Sequence, residues 1–275
     1  VLDPMTLTWF RFAFAAVFML IWLGLRRQLG VYRALHARDW RWLLAATLLL
    51  IGNYVGYLLG VQFTSPGNAQ LLIQLAPLLM ALGGIWIFKE RYVLGQWLGL
   101  AVIASGLAFF FGDQLHGAVN AGPVYVLGSA IIGLASVSWA AYALIQKQLL
   151  LKLDSSHILT ALYIFSALLL WPFAHPSRLF ALDGLHWSLL GYCAINTLVA
   201  YGAFAEALAH WQASRVSAIL ATTPLLCLAA VGLTHSLWPA AIAPEQVTAF
   251  GIFGALLVVI GSALSSLLGQ TAKES

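Results

Sequence analysis

Charge is scarce in this chain. Asp, Glu, Lys and Arg make up 8% of its 275 residues, against roughly a quarter in soluble domains. Hydrophobic residues make up 62%, more apolar surface than a water-soluble fold of this length can hide. A soluble globular domain is therefore excluded. Cysteine is nearly absent: Cys193 and Cys227 stand inside apolar runs and read as small packing residues, so no disulfide framework is expected. No HExxH, GxSxG, Walker or zinc-ligand spacing occurs. The common hydrolase, nucleotide and metal chemistries thus have no footing, and neither a cofactor nor a nucleic-acid partner is expected. No basic n-region or small-residue cleavage site accompanies the first apolar run, which is flanked by Asp3 and Pro4, so no signal peptide is read. Missing too is any carboxylate in the middle of an apolar run, the usual place for proton or sodium coupling.

What the chain does have is apolar length. Crossing about 30 Å of hydrocarbon takes about 20 apolar residues in a helix. Nine runs qualify: 5–25, 42–63, 68–88, 92–111, 123–145, 157–174, 187–209, 216–237 and 247–268. They are continuous rather than alternating, which argues for helices and against a membrane barrel. Loop charge then orients them. One alternate set of loops holds Arg26, Arg27, Arg33, Arg38, Arg41, Lys89, Arg91, Lys147, Lys152, Arg215 and Lys273; the other holds only Arg178, and Arg11 lies within the first run. The rich set reads as cytoplasmic, which puts Val1 outside and the C-terminus inside.

The runs repeat. Pro77-Leu78-Leu79 matches Pro224-Leu225-Leu226, and Glu90, Gly99 and Gly106 match Glu245, Gly254 and Gly261 with identical internal spacing. An insertion ending near 238–244 separates the two blocks in the second copy. Upstream, Trp40 and Tyr54 match Trp187 and Tyr201. The pattern implies two five-helix repeats, 1–122 and 123–275. The first shows four helices, which suggests one further helix ahead of Val1 and ten in all. Five is odd, so the second copy is expected to be inverted in the membrane, an arrangement suited to alternating access with a site near the midplane.

Ala76-Pro77-Leu78, the Lys89-Glu90-Arg91 turn and Gly95/Gly99/Gly106 resemble EamA-type members of the drug/metabolite transporter superfamily. Thr223-Pro224-Leu225, Glu245 and the 256–261 stretch resemble the second unit of that family. Ser138-Trp139-Ala140 is similar to its sixth helix, and Arg11 to the arginine of its second. The resemblance implies an all-α polytopic membrane protein of ten helices, an inverted five-helix repeat with nine present here, cytoplasmic ends, and export or exchange of small metabolites.

Polar groups inside apolar runs are costly unless they face protein or water, so each is a candidate. Asn53, Tyr57 and Gly60 share a helical face, with Tyr54 beside them; Gln70, Gln74 and Pro77 share another; Ser136, Trp139 and Tyr142 a third. Asn196 precedes Tyr201, and Thr222 and Thr223 precede Pro224. Amides, hydroxyls and aromatic walls suit an amphipathic organic solute; about half of these groups are expected to be glue between helices instead. Pro77 and Pro224 bend their helices, as a hinge or a cavity wall. Gly52-Gly56-Gly60 and Gly95-Gly99 read as close-packing rows, within the chain or in a homodimer. Arg11 either binds an acidic substrate group or snorkels outward. Glu206 and His210 read as a solvated pair near the cytoplasmic end of their helix. Glu90 and Glu245 are expected to cap or pair with the dipole of the next helix.

The expected function is a secondary transporter in the bacterial inner membrane, whose partners are the lipid bilayer and a small organic substrate, amino-acid-like or aromatic, in export. Uptake by a permease or facilitator is the near alternative; an intramembrane enzyme or an assembly subunit is the distant one. The topology is checked by cysteine labelling in intact cells. A cysteine at Ser177 should react with an impermeant maleimide from outside and one at Ser155 should not; the reverse pattern overturns the orientation.

Overall fold

Inside hydrocarbon there is no water to satisfy backbone N–H and C=O groups, so a spanning chain must pair them within itself. The computed structural model describes residues 2–64, 66–90, 92–220, 222–237 and 249–268. It is 88% helical, with no strand among the described residues. The helices are α1 (Pro4–Leu25), α2 (Ala37–Phe63), α3 (Pro66–Leu72), α4 (Leu75–Phe88), α5 (Leu94–Ala121), α6 (Pro123–Leu149), α7 (Ser155–Leu170), α8 (Gly184–His210), α9 (Ala213–Leu220), α10 (Thr223–Leu237) and α11 (Ala249–Leu268). Among the described residues five are long and apolar enough to cross a membrane: α1, α2, α6, α8, and α7 with the short turn that extends it to Phe173.

Each expected run has its helix, with boundaries set by local chemistry. α1 starts where Asp3 accepts hydrogen bonds from the Thr6 amide (2.9 Å) and hydroxyl (2.8 Å), with Pro4 at the first helical position. α5 starts where the Gln96 side chain reaches back to the Val93 amide (3.1 Å). Gly122, at a φ of 90° open only to glycine without strain, separates α5 from Pro123 and α6. Asp183 accepts from the His186 amide at 2.8 Å to start α8.

Two runs differ from expectation. The 68–88 run is α3 followed by α4, and the 216–237 run is α9 followed by α10. Both are broken helices rather than bent ones. Each break lies just before its proline, and the cause is the N–H that proline lacks. Pro77 cannot donate to the carbonyl of Ile73, which instead accepts from the Ala76 amide at 2.9 Å. Pro224 cannot donate to Leu220, whose carbonyl instead accepts from the Thr223 hydroxyl at 2.6 Å.

The chain forms two compact units, and each draws on both sequence halves. One comprises Val1–Val55 and Ala141–Trp211, the other Gly56–Ala140 and Gln212–Ser275. In the first, α7 and α8 pack on α1, around the fully buried Phe12, Leu23, Ile158, Leu162 and Tyr163. The loop after α1 is pinned there: the Tyr32 hydroxyl donates to the His157 carbonyl at 2.8 Å, and Lys152 pairs with Asp39 at 2.8 Å.

In the second unit α5 lies against α11. A Cβ at Gly99 would stand 2.6 Å from the Gly261 carbonyl, and one at Gly106 would stand 2.7 Å from the Gly254 carbonyl. The four glycines marked by the repeat thus face one another in crossed pairs, and both helices approach to backbone contact. Gly99→Ala should lower stability by about 1–3 kcal/mol through overpacking. Gly133→Ala, where nothing lies within 4 Å of the added carbon, should be neutral or slightly stabilising. Thermal unfolding in detergent measures both, and equal midpoints would contradict the close crossing.

Candidate functional site

An arginine inside a membrane helix is expensive unless its donors are used. Arg11, the eighth residue of α1, is half-buried. Its Nε donates to Thr197 Oγ1 on α8 at 2.9 Å, and its Nη2 reaches the Tyr54 hydroxyl on α2 at a long 3.5 Å. The guanidinium carbon lies 4.9 Å from the centre of the Tyr54 ring, within cation–π range. Thr197 is held in turn, since its hydroxyl donates to the Cys193 carbonyl at 2.9 Å.

Around this cation runs a chain of aromatic rings, all in the first unit. Phe12 packs on Tyr54 at 4.9 Å and on Tyr163 at 5.9 Å. Tyr54 meets Tyr201 at 5.6 Å, Tyr201 meets Tyr142 at 6.2 Å, and Tyr142 meets Phe204 at 6.4 Å. The Tyr163 hydroxyl donates to the Thr197 carbonyl at 3.3 Å. The acids of this unit are engaged elsewhere, Asp3 with Arg178 (3.2 Å) and Asp39 with Lys152 (2.8 Å). Among the described residues none forms an ion pair with Arg11. Thr197 and the Tyr54 ring thus hold the guanidinium in an aromatic setting, with no ion-pair partner among the described residues.

Of the expected site residues, Arg11, Tyr54, Tyr142 and Tyr201 come together here. Asn53 is buried in the same unit. Asn196 is exposed, and its neighbour Thr197 takes the place beside Arg11. Thr197 and Tyr163 were not among the expected residues. A hydroxyl at helical spacing from Tyr201 was the available signal for Thr197, and Tyr163 carried the same signal as the other tyrosines, a phenol inside an apolar run.

The second unit holds another polar group. The Tyr57 hydroxyl donates to Gln70 Oε1 at 3.2 Å, and Ser136 Oγ to the Leu72 carbonyl at 3.3 Å. Gln74 stands in the break between α3 and α4. Its amide nitrogen faces the Gln70 carbonyl at 3.4 Å, and its Oε1 is buried with no hydrogen-bond partner among the described residues. Trp139 is half-buried on α6. Thr223 is exposed, its hydroxyl used on the Leu220 carbonyl. Pro224 is the second residue of α10; Glu245 lies outside the described residues.

Glu90 corrects an expectation. It caps α9, not the following helix α5: its Oε1 accepts from the Ala213 amide at 2.9 Å and its Oε2 from the Ser214 amide at 3.2 Å. Near the end of α8, Glu206 is exposed, accepting from the Ser155 hydroxyl at 2.6 Å with His210 Nδ1 3.5 Å away. Among the described residues no group of three or more His, Cys, Asp or Glu is placed to hold a metal.

The family model of the EamA-like transporter family matches residues 1–112 and again 126–267. The chain belongs to the EamA-like transporter family. This EamA protein is 36% identical over 271 residues to the uncharacterized inner membrane transporter YhbE of Escherichia coli (strain K12), covering 97% of this chain and 84% of that one. It is 31% identical to an uncharacterized transporter of Haemophilus influenzae, over 97% of this chain and 87% of that protein. It is 26% identical to a protein of Escherichia coli named "Probable amino-acid metabolite efflux pump", over 73% and 68% of the two chains. A solved crystal structure at 20% identity shares the fold, with a TM-score of 0.69 over 98% of this chain and 90% of that one. The chain is thus a multi-pass membrane transporter, and its family and relatives point to transport rather than catalysis.

In this EamA transporter the Arg11–Thr197 bond is charge-assisted, a kind worth about 1.5–3 kcal/mol. Thr197→Val should lower the detergent unfolding midpoint more than Thr197→Ser. If the two variants match, the bond contributes nothing measurable.

Proposed function

We propose that this transporter exports a small carboxylate-bearing metabolite, amino-acid-like or aromatic, across the bacterial inner membrane by alternating access. The observation that carries the reading is the guanidinium of Arg11, oriented by Thr197 and Tyr54 among tyrosines and without a carboxylate partner among the described residues. An anion entering there gains a charge-assisted, planar partner. Of these tyrosines Tyr201 is half-buried, and its ring is the one placed to meet an apolar or aromatic side chain. The name of the efflux-pump relative agrees with this substrate class and direction.

Several features support alternating access between inverted repeats. The crossed glycine pairs, Gly99 with Gly261 and Gly106 with Gly254, are the pattern that a two-fold relation between the repeats requires. Both broken helices occupy equivalent repeat positions, and broken helices near the midplane are a recurring device of transporters built from inverted repeats. The loop charges favour a cytoplasmic C-terminus. Gly56 approaches Ala135 within its own unit, with 3.3 Å from an added Cβ to the Ala135 Cβ. This favours internal packing of the glycine row over a homodimer contact.

The test is counterflow in proteoliposomes with amino acids and their methyl esters. The acids should show saturable flux and the esters at least about tenfold less. Arg11→Gln should raise KM by about 10–100-fold, following the 1.5–3 kcal/mol of a charge-assisted bond at 1.4 kcal/mol per tenfold. Arg11→Lys should fall between, since an ammonium keeps the charge but loses the fork. Equal flux of acids and esters overturns the reading.

A further inference from the structure

The Glu90 carboxylate does more than close a turn. Lys89 ends α4 in the left-handed region at a φ of 54°, and the Glu90 amide donates back to the Gly84 carbonyl at 3.3 Å. The side chain thereby folds over Gly84, where a Cβ would lie 2.8 Å from Oε2 and 3.2 Å from the Ala213 Cβ. Only a residue without a side chain leaves room for the carboxylate between α4 and α9. Its two oxygens then take the first two amides of α9, Ala213 at 2.9 Å and Ser214 at 3.2 Å. Those amides have no partner within their own helix, and the negative charge complements the helix dipole. Further along, Ser217 on α9 donates to the Pro77 carbonyl on α4 at 2.7 Å, and both residues are buried. α4 and α9 are thus joined at both ends of their contact, and each is a half-helix bounded by a break.

We infer that Glu90 is a positioning residue of the transport cycle: its carboxylate clamps the α9 half-helix to α4, and the clamp opens when the broken spans move. This rests on the alternating-access reading above. A residue needed only for folding would affect yield; a clamp that must open sets how often the α4–α9 seam is exposed. Glu90 belongs to the second unit and the Arg11 group to the first, so loss of the carboxylate should alter turnover and not substrate affinity.

The experiment follows seam exposure directly and needs no substrate. In the full chain carrying Cys193→Ala and Cys227→Ala, Ser214→Cys is placed in the buried seam and its reaction with a membrane-permeant maleimide is timed in liposomes. Glu90→Ala should speed labelling by about fivefold or more. Glu90→Gln, which keeps one acceptor oxygen, should give a smaller rise. Gly84→Ala leaves the carboxylate intact but wedges it away from α9, and should also speed labelling. Each is compared at matched unfolding midpoint and folded yield, so that a loosened fold is not mistaken for an opened seam. Should Glu90→Ala fail to fold, the Gln and Gly84 variants decide. Labelling within twofold of the parent in every folded variant overturns the clamp. Counterflow separates the two readings: faster labelling with no flux of any amino acid keeps the clamp and rejects the proposed substrate. Flux in which Glu90→Gln changes KM but not turnover rejects the clamp.

Discussion

A backbone group in hydrocarbon must find its partner inside the protein, and this chain twice removes one on purpose-built ground. Pro77 and Pro224 each deprive the carbonyl four residues earlier of its usual donor. The replacements come from nearby: the Ala76 amide for Ile73, the Thr223 hydroxyl for Leu220. A neighbouring helix supplies one more donor at the first break, Ser136 to the Leu72 carbonyl. Much of the polar inventory of the second unit is therefore accounted for by two broken helices. Hydroxyls that look like a substrate lining in the sequence are in part the means by which an interrupted helix survives in lipid.

The first unit meets the same constraint with a different solution. Its helices are continuous, and its expensive group is a cation rather than an interrupted backbone. Arg11 is tolerated because one nitrogen is bonded to Thr197 and the charge lies over an aromatic face. Its second contact, from Nη2 to the Tyr54 hydroxyl, is a long 3.5 Å. The two units thus differ: a cluster of tyrosines around Arg11 marks the first, and two proline-broken helices with the Glu90 cap mark the second.

The fold was largely legible in the sequence because membrane helices are declared by length and apolarity. Every run found its helix, and the glycine repeat pointed to the surfaces that meet in the α5–α11 crossing. The breaks were missed because a proline near the middle of a run is compatible with a kink or a gap; which occurs depends on donors from other helices, invisible in a linear reading. The site was half legible. Arg11, Tyr54, Tyr142 and Tyr201 stand out as polar or amphipathic groups in apolar runs. Asn196 stood out equally and is exposed, since one residue is a rotation of about 100° around a helix and phase cannot be fixed without the partner helix. Glu90 was legible as a cap, but its target is 123 residues away in the chain, beyond any local rule.

The α5–α11 crossing has one more consequence. Glycines recur there at an interval of seven residues on both helices, 99 to 106 and 254 to 261, and each close approach brings a facing carbonyl to within 2.6–2.7 Å of where a Cβ would stand. Such a seam has discrete registers. Moving to the next one would mean a slide of about 10 Å at 1.5 Å per residue, and any smaller displacement drives a carbonyl into a facing α-carbon. The pair therefore behaves as a single stiff strut, and flexibility in this unit is left to the broken helices beside it.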